Sequence, residues 1–448
     1  MRLLLVQPPT IKTASHYDKL FILEPLALEY VAAGLMDEHD IEIFDMRVDK
    51  DYTLKSKIED FNPDVIGFTS LTVNVNTVIR LSEEVKKNYP NIIILIGGHH
   101  ASVSAKDFYK PSIDAIMIGE GIETMKQYLN TLQYGGDIEQ IDGMAFNKNG
   151  EFIRNKNRAY PALESFKFPN RNLTKKYRHM YFTEEYKPLA TIRTSKGCPH
   201  RCKFCSLWKE SGGKYMKREI ERIVEELKQI EEPYVFFADD ESFIDMNYMD
   251  LLAEEIKKSG IKKKYYTFVR SDTFIKHTDL MRKWAEIGLS KVHMGIESHR
   301  SSDLDNWNKK NTSVNNVRAV EIAHEMGIKV TATIIISQDF VEQDFDDMLE
   351  FSNTLNFDSI MYTVLTPLPG TELYDEVEDQ MISKNYDLFD MSHTLLPTKL
   401  ELHRFYNEYA NLYLRSTKNS HKEKVHGEYS KTDLKDLYFN IKKAYLDH

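Results

Sequence analysis

Short apolar runs alternate with amphipathic stretches along most of this chain. In the first third, runs at residues 3–7, 41–45, 65–70, 92–96 and 115–118 are rich in Leu, Ile and Val and read as strands. Residues 26–36, 78–88 and a stretch from about Glu123 carry apolar positions at helical spacing. Strands apolar on both faces and separated by helices predict a parallel sheet covered on both sides. Residues 142–153 predict a hairpin turning at Asn149-Gly150. The polar, proline-containing stretch around it, 136–185, reads as a connector. The alternation then begins again. Strands are expected at 189–194, 234–238, 265–270, 291–296, 329–336 and 359–365, with helices at 218–231, 248–259, 279–287, 313–326 and 344–356 between them. Six βα units predict a partial or full barrel whose reactive groups gather at the C-terminal ends of its strands. Residues 376–448 read as helical and charged, with an aromatic-rich segment at 405–413 and a flexible link at 416–427.

Composition narrows this only a little. Of 448 residues, 42% are hydrophobic and 29% charged, which is ordinary for a globular protein with room for several cores. A formal net charge of −10 leaves no broad basic footprint for nucleic acid. No run approaches the ~20 apolar residues of a membrane span. The apolar run at the N-terminus is shorter than the core of about 7–15 residues in a signal peptide, so a buried first strand is expected there. The cysteines form no disulfide framework, and a reducing cytoplasm is the expected compartment.

All three cysteines fall within eight positions, Cys198, Cys202 and Cys205, spaced C-x3-C-x2-C. Three thiolates so close can ligate three corners of a cubane [4Fe–4S] cluster and leave the fourth iron open for chemistry. A ferredoxin usually supplies four cysteines. Structural zinc also takes four ligands, and His200 inside the loop is the candidate fourth. Three strand ends of the first repeat are rich in glycine and hydroxyls: Thr69, Ser70, Leu71 and Thr72; Gly97, Gly98 and His99; and Gly119, Glu120 and Gly121. Each alone reads as a tight βα turn. Three at one sheet edge, where ligands of such sheets bind, point to a cofactor site that backbone can approach closely. In the second repeat, Asp239 and Asp240 follow the second strand, Arg270 ends the third, Glu297 the fourth, and Pro367 follows the sixth.

The cysteine loop after the first strand of a six-unit βα array resembles the radical S-adenosylmethionine (SAM) superfamily. The α/β region before it looks like the cobalamin-binding domain of that superfamily's cobalamin-dependent class. The resemblance covers residues 1 to about 375. It implies an α/β fold with a doubly wound cobalamin-binding-like domain at 1–135, a linker at 136–185, a partial (β/α)6 radical SAM barrel at 186–375 and a helical C-terminal region at 376–448. The implied cofactors are a [4Fe–4S] cluster on Cys198, Cys202 and Cys205, SAM, and cobalamin. In this family the reduced cluster cleaves SAM, and the 5′-deoxyadenosyl radical takes hydrogen from an unactivated carbon. Phe204 matches the position beside adenine. Asp239 or Asp240 would pair with the SAM ammonium, Glu297 would hold the ribose, and Pro367 lies in the loop over adenine. Arg270 is either a partner for the SAM carboxylate or part of an internal ion pair. The glycine- and hydroxyl-rich turns, Thr69–Thr72, Gly97–His99 and Gly119–Gly121, would contact cobalamin.

The Asp-x-His-x-x-Gly pattern of many cobalamin domains is missing. Asp45-Met-Arg47 has arginine where the histidine would stand, so cobalt is expected without a histidine lower ligand, and His99 is expected to shape the pocket. Runs at 205–209, 212–215, 270–273, 363–374 and 393–398 are similar to the hopanoid C-3 methylase subgroup. The resemblance thus implies methylation of an unactivated carbon in a small-molecule or lipid substrate, with an external one-electron reductant of flavodoxin or ferredoxin type. Two rivals stand beside it. One is the same cofactor set without methyl transfer, giving oxidative cyclisation, ring contraction or carbon–carbon coupling. The other is a zinc- or cluster-bearing binding module. Trp208, Tyr215, Phe243 and Tyr248 are expected either to face an apolar substrate or to pack in the core.

Overall fold

The computed structural model describes residues 1–11, 20–183 and 185–420. The chain divides into two compact units. One comprises Glu24–Met180 with the N-terminal strand; the other runs from Tyr181 and includes Leu20–Leu23.

The first unit opens with β1 (Arg2–Gln7); β2 (Phe21–Ile22), next in the chain, belongs to the second. Then follow β3 (Asp40–Asp45), β4 (Val65–Thr69), β5 (Ile93–Gly97), β6 (Ala115–Met117), β7 (Met144–Lys148) and β8 (Glu151–Arg154). Their order in the sheet is β3-β1-β4-β5-β6-β7-β8. The first five pair in parallel, so their C-terminal ends share one edge. Leu3, Leu5, Val65 and Leu95 pack on one face against Leu28, Met125 and Leu129 of two helices, Leu26–Leu35 and Gly121–Tyr134. Leu4, Val6, Ile66 and Phe68, on the other face, are also buried. Each such side chain is worth about 1.5–3 kcal/mol when removed from water.

Residues 136–180, expected as a connector, fold onto this unit instead. The hairpin β7–β8 pairs antiparallel with β6 and buries Met144, Ala145 and Phe146. An open sheet edge is thereby closed. The turn-rich segment Arg171–Met180 supplies Arg171, Thr174 and Arg178 to the buried carboxylates Glu24 and Glu29. Its polar residues are partners for buried charge, which is why the segment reads as a solvated linker in sequence.

The second unit contributes β9 (Phe182–Thr183), β10 (Leu189–Ile192), β11 (Ser195–Lys196), β12 (Met216–Lys217), β13 (Tyr234–Phe237), β14 (Lys264–Phe268), β15 (Leu289–Glu297), β16 (Lys329–Ile336) and β17 (Ser359–Val364). Six of these make one parallel sheet in the order β10-β13-β14-β15-β16-β17. The first and last strands do not pair, so the barrel is partial. Side chains alternate between its faces. Ile192, Phe237, Tyr265, Val292 and Ile334 pack outward beneath the helices with the buried Trp284. Phe236, Tyr266 and Phe268 form a separate cluster on the other face.

The helix Leu402–Ser420 sends Phe405, Tyr406, Tyr409 and Leu412 into the outer layer. The hydroxyl of Tyr409 donates to the carbonyl of Tyr362 in β17 at 2.8 Å. This helix flanks the last strand rather than capping the barrel. The link expected at 416–427 lies largely outside the described residues. Among the described residues, no helix is long and apolar enough to cross a membrane.

Candidate active site

The cysteine loop is built at the C-terminal end of β10. β11 and β12 pair antiparallel, Ser195 with Lys217 and Lys196 with Met216, and pinch residues 197–215 into a closed loop. Gly197 has φ +91°, and a Cβ there would run into the carbonyl oxygen of Lys214. The loop therefore requires glycine at its entry. Its base is held from β13. Asp239 accepts hydrogen bonds from the backbone N–H of Thr194 at 2.7 Å and of Ser195 at 2.9 Å, and from Ser242 Oγ at 3.0 Å. Asp240 Oδ2 accepts from the N–H of Gly197 at 2.8 Å. Asp239 is buried and committed to the loop, so it does not fit the role of an ammonium partner; Asp240 is half-buried, with an oxygen beyond that bond.

Inside the loop, Cys202 is 7% exposed, and Cys198 and Cys205 are half-buried. The N–H of Cys205 donates to the carbonyl of Cys202 at 3.1 Å, and Trp208 Nε1 donates to the same carbonyl at 3.3 Å. Burial pushes the Cys198 thiol up to about 11 and the Cys205 thiol up to about 12; Cys202 is raised for the same reason. The three sulfurs lie near enough to disfavour one another's ionisation. Buried thiols of this kind become thiolates when a metal supplies the positive charge. The N–H groups of His200 and Leu207 already point at Cys198 and Cys205. The three free thiols of this one loop would hold a [4Fe–4S] cluster at three of its corners. The donor set thus fits a cluster.

Two more charged residues stand at this edge: Glu241, third in the acidic run after β13, and Lys309, which sequence reading missed. Glu241 is buried, with Oε1 3.4 Å from the N–H of Arg270, and burial lifts its carboxyl to about 7. Lys309 is buried and its Nζ donates to Glu297 Oε1 at 2.7 Å. Glu297 itself has φ +63°, at a register shift between β15 and β16. Gly295 makes room for it: a Cβ there would meet Glu297 Oε1. Left-handed backbone at a non-glycine residue costs about 1–3 kcal/mol and persists where surroundings dictate it. Arg270 is an internal ion pair, its guanidinium bonded to Asp272 at 2.9 and 3.2 Å and to the carbonyl of Lys309 at 2.7 Å. Phe204 meets Trp307 edge-on at 6.1 Å and packs with Leu365 and Leu373. The loop carrying the buried Pro367 is tied to the cysteine loop where Leu373 N donates to the Lys203 carbonyl at 3.0 Å.

Deeper between the strands, His293 Nδ1 lies 2.9 Å from the Tyr266 hydroxyl, and Nε2 contacts Thr333 Oγ1. Phe268 packs against the same ring at 4.8 Å. Burial depresses the imidazole to about 3, so it is neutral. Of the four aromatics singled out in the sequence, Phe243 and Tyr248 are core. Phe243 packs on Trp284, and the Tyr248 hydroxyl donates to the carbonyl of Arg218 at 2.7 Å. Trp208 and Tyr215 are half-buried in the cysteine loop.

In the first unit, Thr69–Thr72, Gly97–His99 and Gly119–Gly121 meet at the edge formed by β4, β5 and β6. Ser70 N donates to the Gly97 carbonyl at 2.9 Å, and His100 N to the Ser70 carbonyl at 3.0 Å. Gly119 N donates to Ser102 Oγ at 2.9 Å, and a Cβ at Gly119 would meet nothing. Leu71 is 56% exposed. An open glycine edge with an exposed apolar residue fits a large, flat ligand. Arg47, which stands where a cobalt-ligating histidine would, is bound to Asp45 at 2.7 and 2.9 Å. His100 is buried between Thr72 and Asp107.

Comparison with known proteins adds to this geometry. A family model described as the B12 binding domain matches residues 20–129, and one described as the Radical SAM superfamily matches residues 192–352. The chain is 32% identical over 403 residues to hopanoid C-3 methylase of Methylococcus capsulatus, covering 88% of this chain and 76% of that one. It is 25% identical over 341 residues to the anaerobic magnesium-protoporphyrin IX monomethyl ester cyclase of Rubrivivax gelatinosus, covering 73% of this chain and 61% of that one. Among solved structures it resembles the cobalamin-dependent SAM radical enzyme OxsB, with aqua-cobalamin and SAM bound, at a TM-score of 0.73. That match has 17% identity and covers 92% of this chain and 66% of that one. At such identity the last likeness speaks for the fold.

Proposed function

Since the chain belongs to the cobalamin-dependent radical SAM family, in the branch that includes hopanoid C-3 methylase, we propose that it methylates an unactivated carbon of an apolar, ring-bearing substrate. The observation that carries this reading is the pairing of a closed three-thiol loop at one sheet edge with a separate B12-binding sheet in the same chain. When bound, the cluster, SAM and cobalamin supply the electron, the radical and the methyl group.

The chain's own residues do the rest. Cys198, Cys202 and Cys205 would hold the [4Fe–4S] cluster by three of its irons, the fourth being open to SAM. Asp240 offers a carboxylate oxygen to the SAM ammonium, a charge-assisted bond. Asp239 positions the loop instead. Glu297 stands for the ribose, while Phe204 and the Pro367 loop enclose adenine and exclude water. Thr69–Thr72, Gly97–His99 and Gly119–Gly121 receive cobalamin through backbone and hydroxyls, with no histidine from the Asp45–Arg47 turn. Phe236, Tyr266 and Phe268 offer an aromatic wall to an apolar substrate, and the His293–Thr333 pair offers one hydrogen-bonding edge. The electron comes from an external one-electron donor of flavodoxin or ferredoxin type, in a reducing cytoplasm.

The test is anaerobic reconstitution with iron, sulfide, cobalamin, SAM and a low-potential donor, offering a hopanoid as substrate. 5′-Deoxyadenosine and S-adenosylhomocysteine are expected together, with one added methyl in the product. Deoxyadenosine without S-adenosylhomocysteine would reject methyl transfer. It would favour the non-methylating reading, to which the 25% identity with a cyclase gives weight.

A further inference from the structure

Cys202 lies between two residues gripped by the loop that follows β15. The carbonyl of Trp307 accepts from the N–H of Lys203 at 3.0 Å, and Asn308 Nδ2 donates to the carbonyl of Arg201 at 2.6 Å. The next residue, Lys309, is thereby set beside Cys202. Its buried Nζ donates to Glu297 Oε1 at 2.7 Å, and its carbonyl accepts from Arg270, whose guanidinium also reaches the Cys202 sulfur. Glu297, Asn308 and Lys310 all have left-handed backbone, with φ +63°, +54° and +51°. Asparagine adopts this conformation readily, but Glu297 and Lys310 do not, and strain of this kind gathers at functional sites. The other two thiols face the opposite charge: Asp240 and Glu241 act on Cys198, and Asp240 on Cys205. Cys202 is thus the thiol nearest the cations, while Glu241 stands next to them as well, its Oε1 3.4 Å from the Arg270 N–H.

We propose that the Lys309–Glu297 ion pair sets the reduction potential of the cluster, Lys309 favouring the reduced state and Glu297 tempering it. The proposal rests on Cys198, Cys202 and Cys205 being the cluster's ligands. Reduction moves one electron from the external one-electron donor onto a group that is already negative, and the donor is oxidised by one electron. A fixed cation next to a ligating sulfur stabilises that added charge, more strongly where water is excluded. A carboxylate does the reverse. Net charge and hydrogen bonding around the sulfurs are the protein's levers on such potentials. Lys309 is in this sense a tuning residue, and its effect exists before SAM or substrate binds.

The experiment is an EPR-monitored redox titration of the reconstituted full chain without SAM. Glu297→Gln leaves Lys309 uncompensated, and its midpoint is expected to rise by about tenfold in the one-electron equilibrium, 59 mV. Lys309→Met combined with Glu297→Gln removes both charges and is expected to bring the midpoint back to or below that of the unaltered protein. Lys309→Arg keeps the charge and should keep the midpoint. A scaffolding role would alter iron and sulfide content without ordering the midpoints in this way. Indistinguishable midpoints in the unaltered protein, Glu297→Gln and the double variant would overturn the proposal. So would loss of iron and sulfide from both variants while the unaltered protein loads fully. An unaltered protein that takes up no iron and sulfide would instead sink the ligand assignment beneath it.

Discussion

The two sheets share a topology at their working edges and differ in chemistry. Where β4, β5 and β6 end, the first edge presents mainly backbone and hydroxyls, with Gly97, Gly98 and Gly119 at the strand ends and Glu120 accepting from the Tyr160 hydroxyl. The His100–Asp107 pair at that edge is turned inward and holds the loop. The second edge buries Asp239, Glu241, Arg270, Glu297 and Lys309. Burying an ion costs several kcal/mol unless it is paired and hydrogen-bonded. A neutral edge suits a large ligand bound by shape, and it asks little of the fold. A charged, strained edge is retained only where fields act on chemistry. Parallel topology supplies the place in both units, and local side chains supply the function.

The largest test of this contrast is Cys202→Ala. Iron and sulfide loading and deoxyadenosine formation are expected to be abolished. Cobalamin affinity, read by equilibrium dialysis, should stay within about twofold, because each edge is built on a unit with its own core. Loss of both together would mean the edges are one site energetically, and the contrast would fail.

One buried group in each unit should also respond to pH with opposite sign. Glu29 in the first unit is raised from 4.5 to about 8 by burial and by Glu24. Between those values the folded form binds a proton that the unfolded form has lost, so stability falls as pH rises from about 4.5 to about 8 and is level above. His293 in the second unit is depressed from 6.5 to about 3, chiefly by burial. Here the unfolded form binds the extra proton, so stability falls as pH drops below about 6.5. Each effect is on the order of a few kcal/mol. Hydrogen exchange resolved by peptide, followed across this range, separates the units. Glu29→Gln should flatten the slope of the first alone and His293→Gln that of the second. Slopes left unchanged by both substitutions would defeat the assignment.

Much of this was legible in the sequence because periodicity reports burial. The strands at 65–70 and 329–336 lie where their apolar runs predict, since both faces of a parallel strand are covered. The cysteine loop was legible from spacing alone. Lys309 was not. It sits in the polar run Asn308-Lys309-Lys310-Asn311, which has no pattern, and it becomes a site residue through Asn308 and Trp307 gripping the cysteine loop. The part Asp239 plays in holding the loop was hidden for a related reason. An acidic pair after a strand looks alike whether its oxygens are free or spent, and only the bonds to Thr194 and Ser195 decide. Residues 155–180 hid a folded segment because their charges answer Glu24 and Glu29 rather than water.

The smallest predicted effect sharpens the neutral edge. Gly98 has φ +94° and ψ −174°, a region open essentially to glycine. A Cβ there would stand 2.6 Å from Thr69 Oγ1 and 2.7 Å from the Ser70 backbone nitrogen. Gly98→Ala must therefore push the β4 turn, at a cost of about 1–3 kcal/mol. If that turn receives cobalamin through its backbone, affinity should fall about tenfold, since 1.4 kcal/mol is a factor of ten. The cluster and its midpoint potential should not change. Unaltered cobalamin affinity in a folded Gly98→Ala protein would mean that the ligand leans on side chains instead, and the first edge would lose the character that sets it apart from the second.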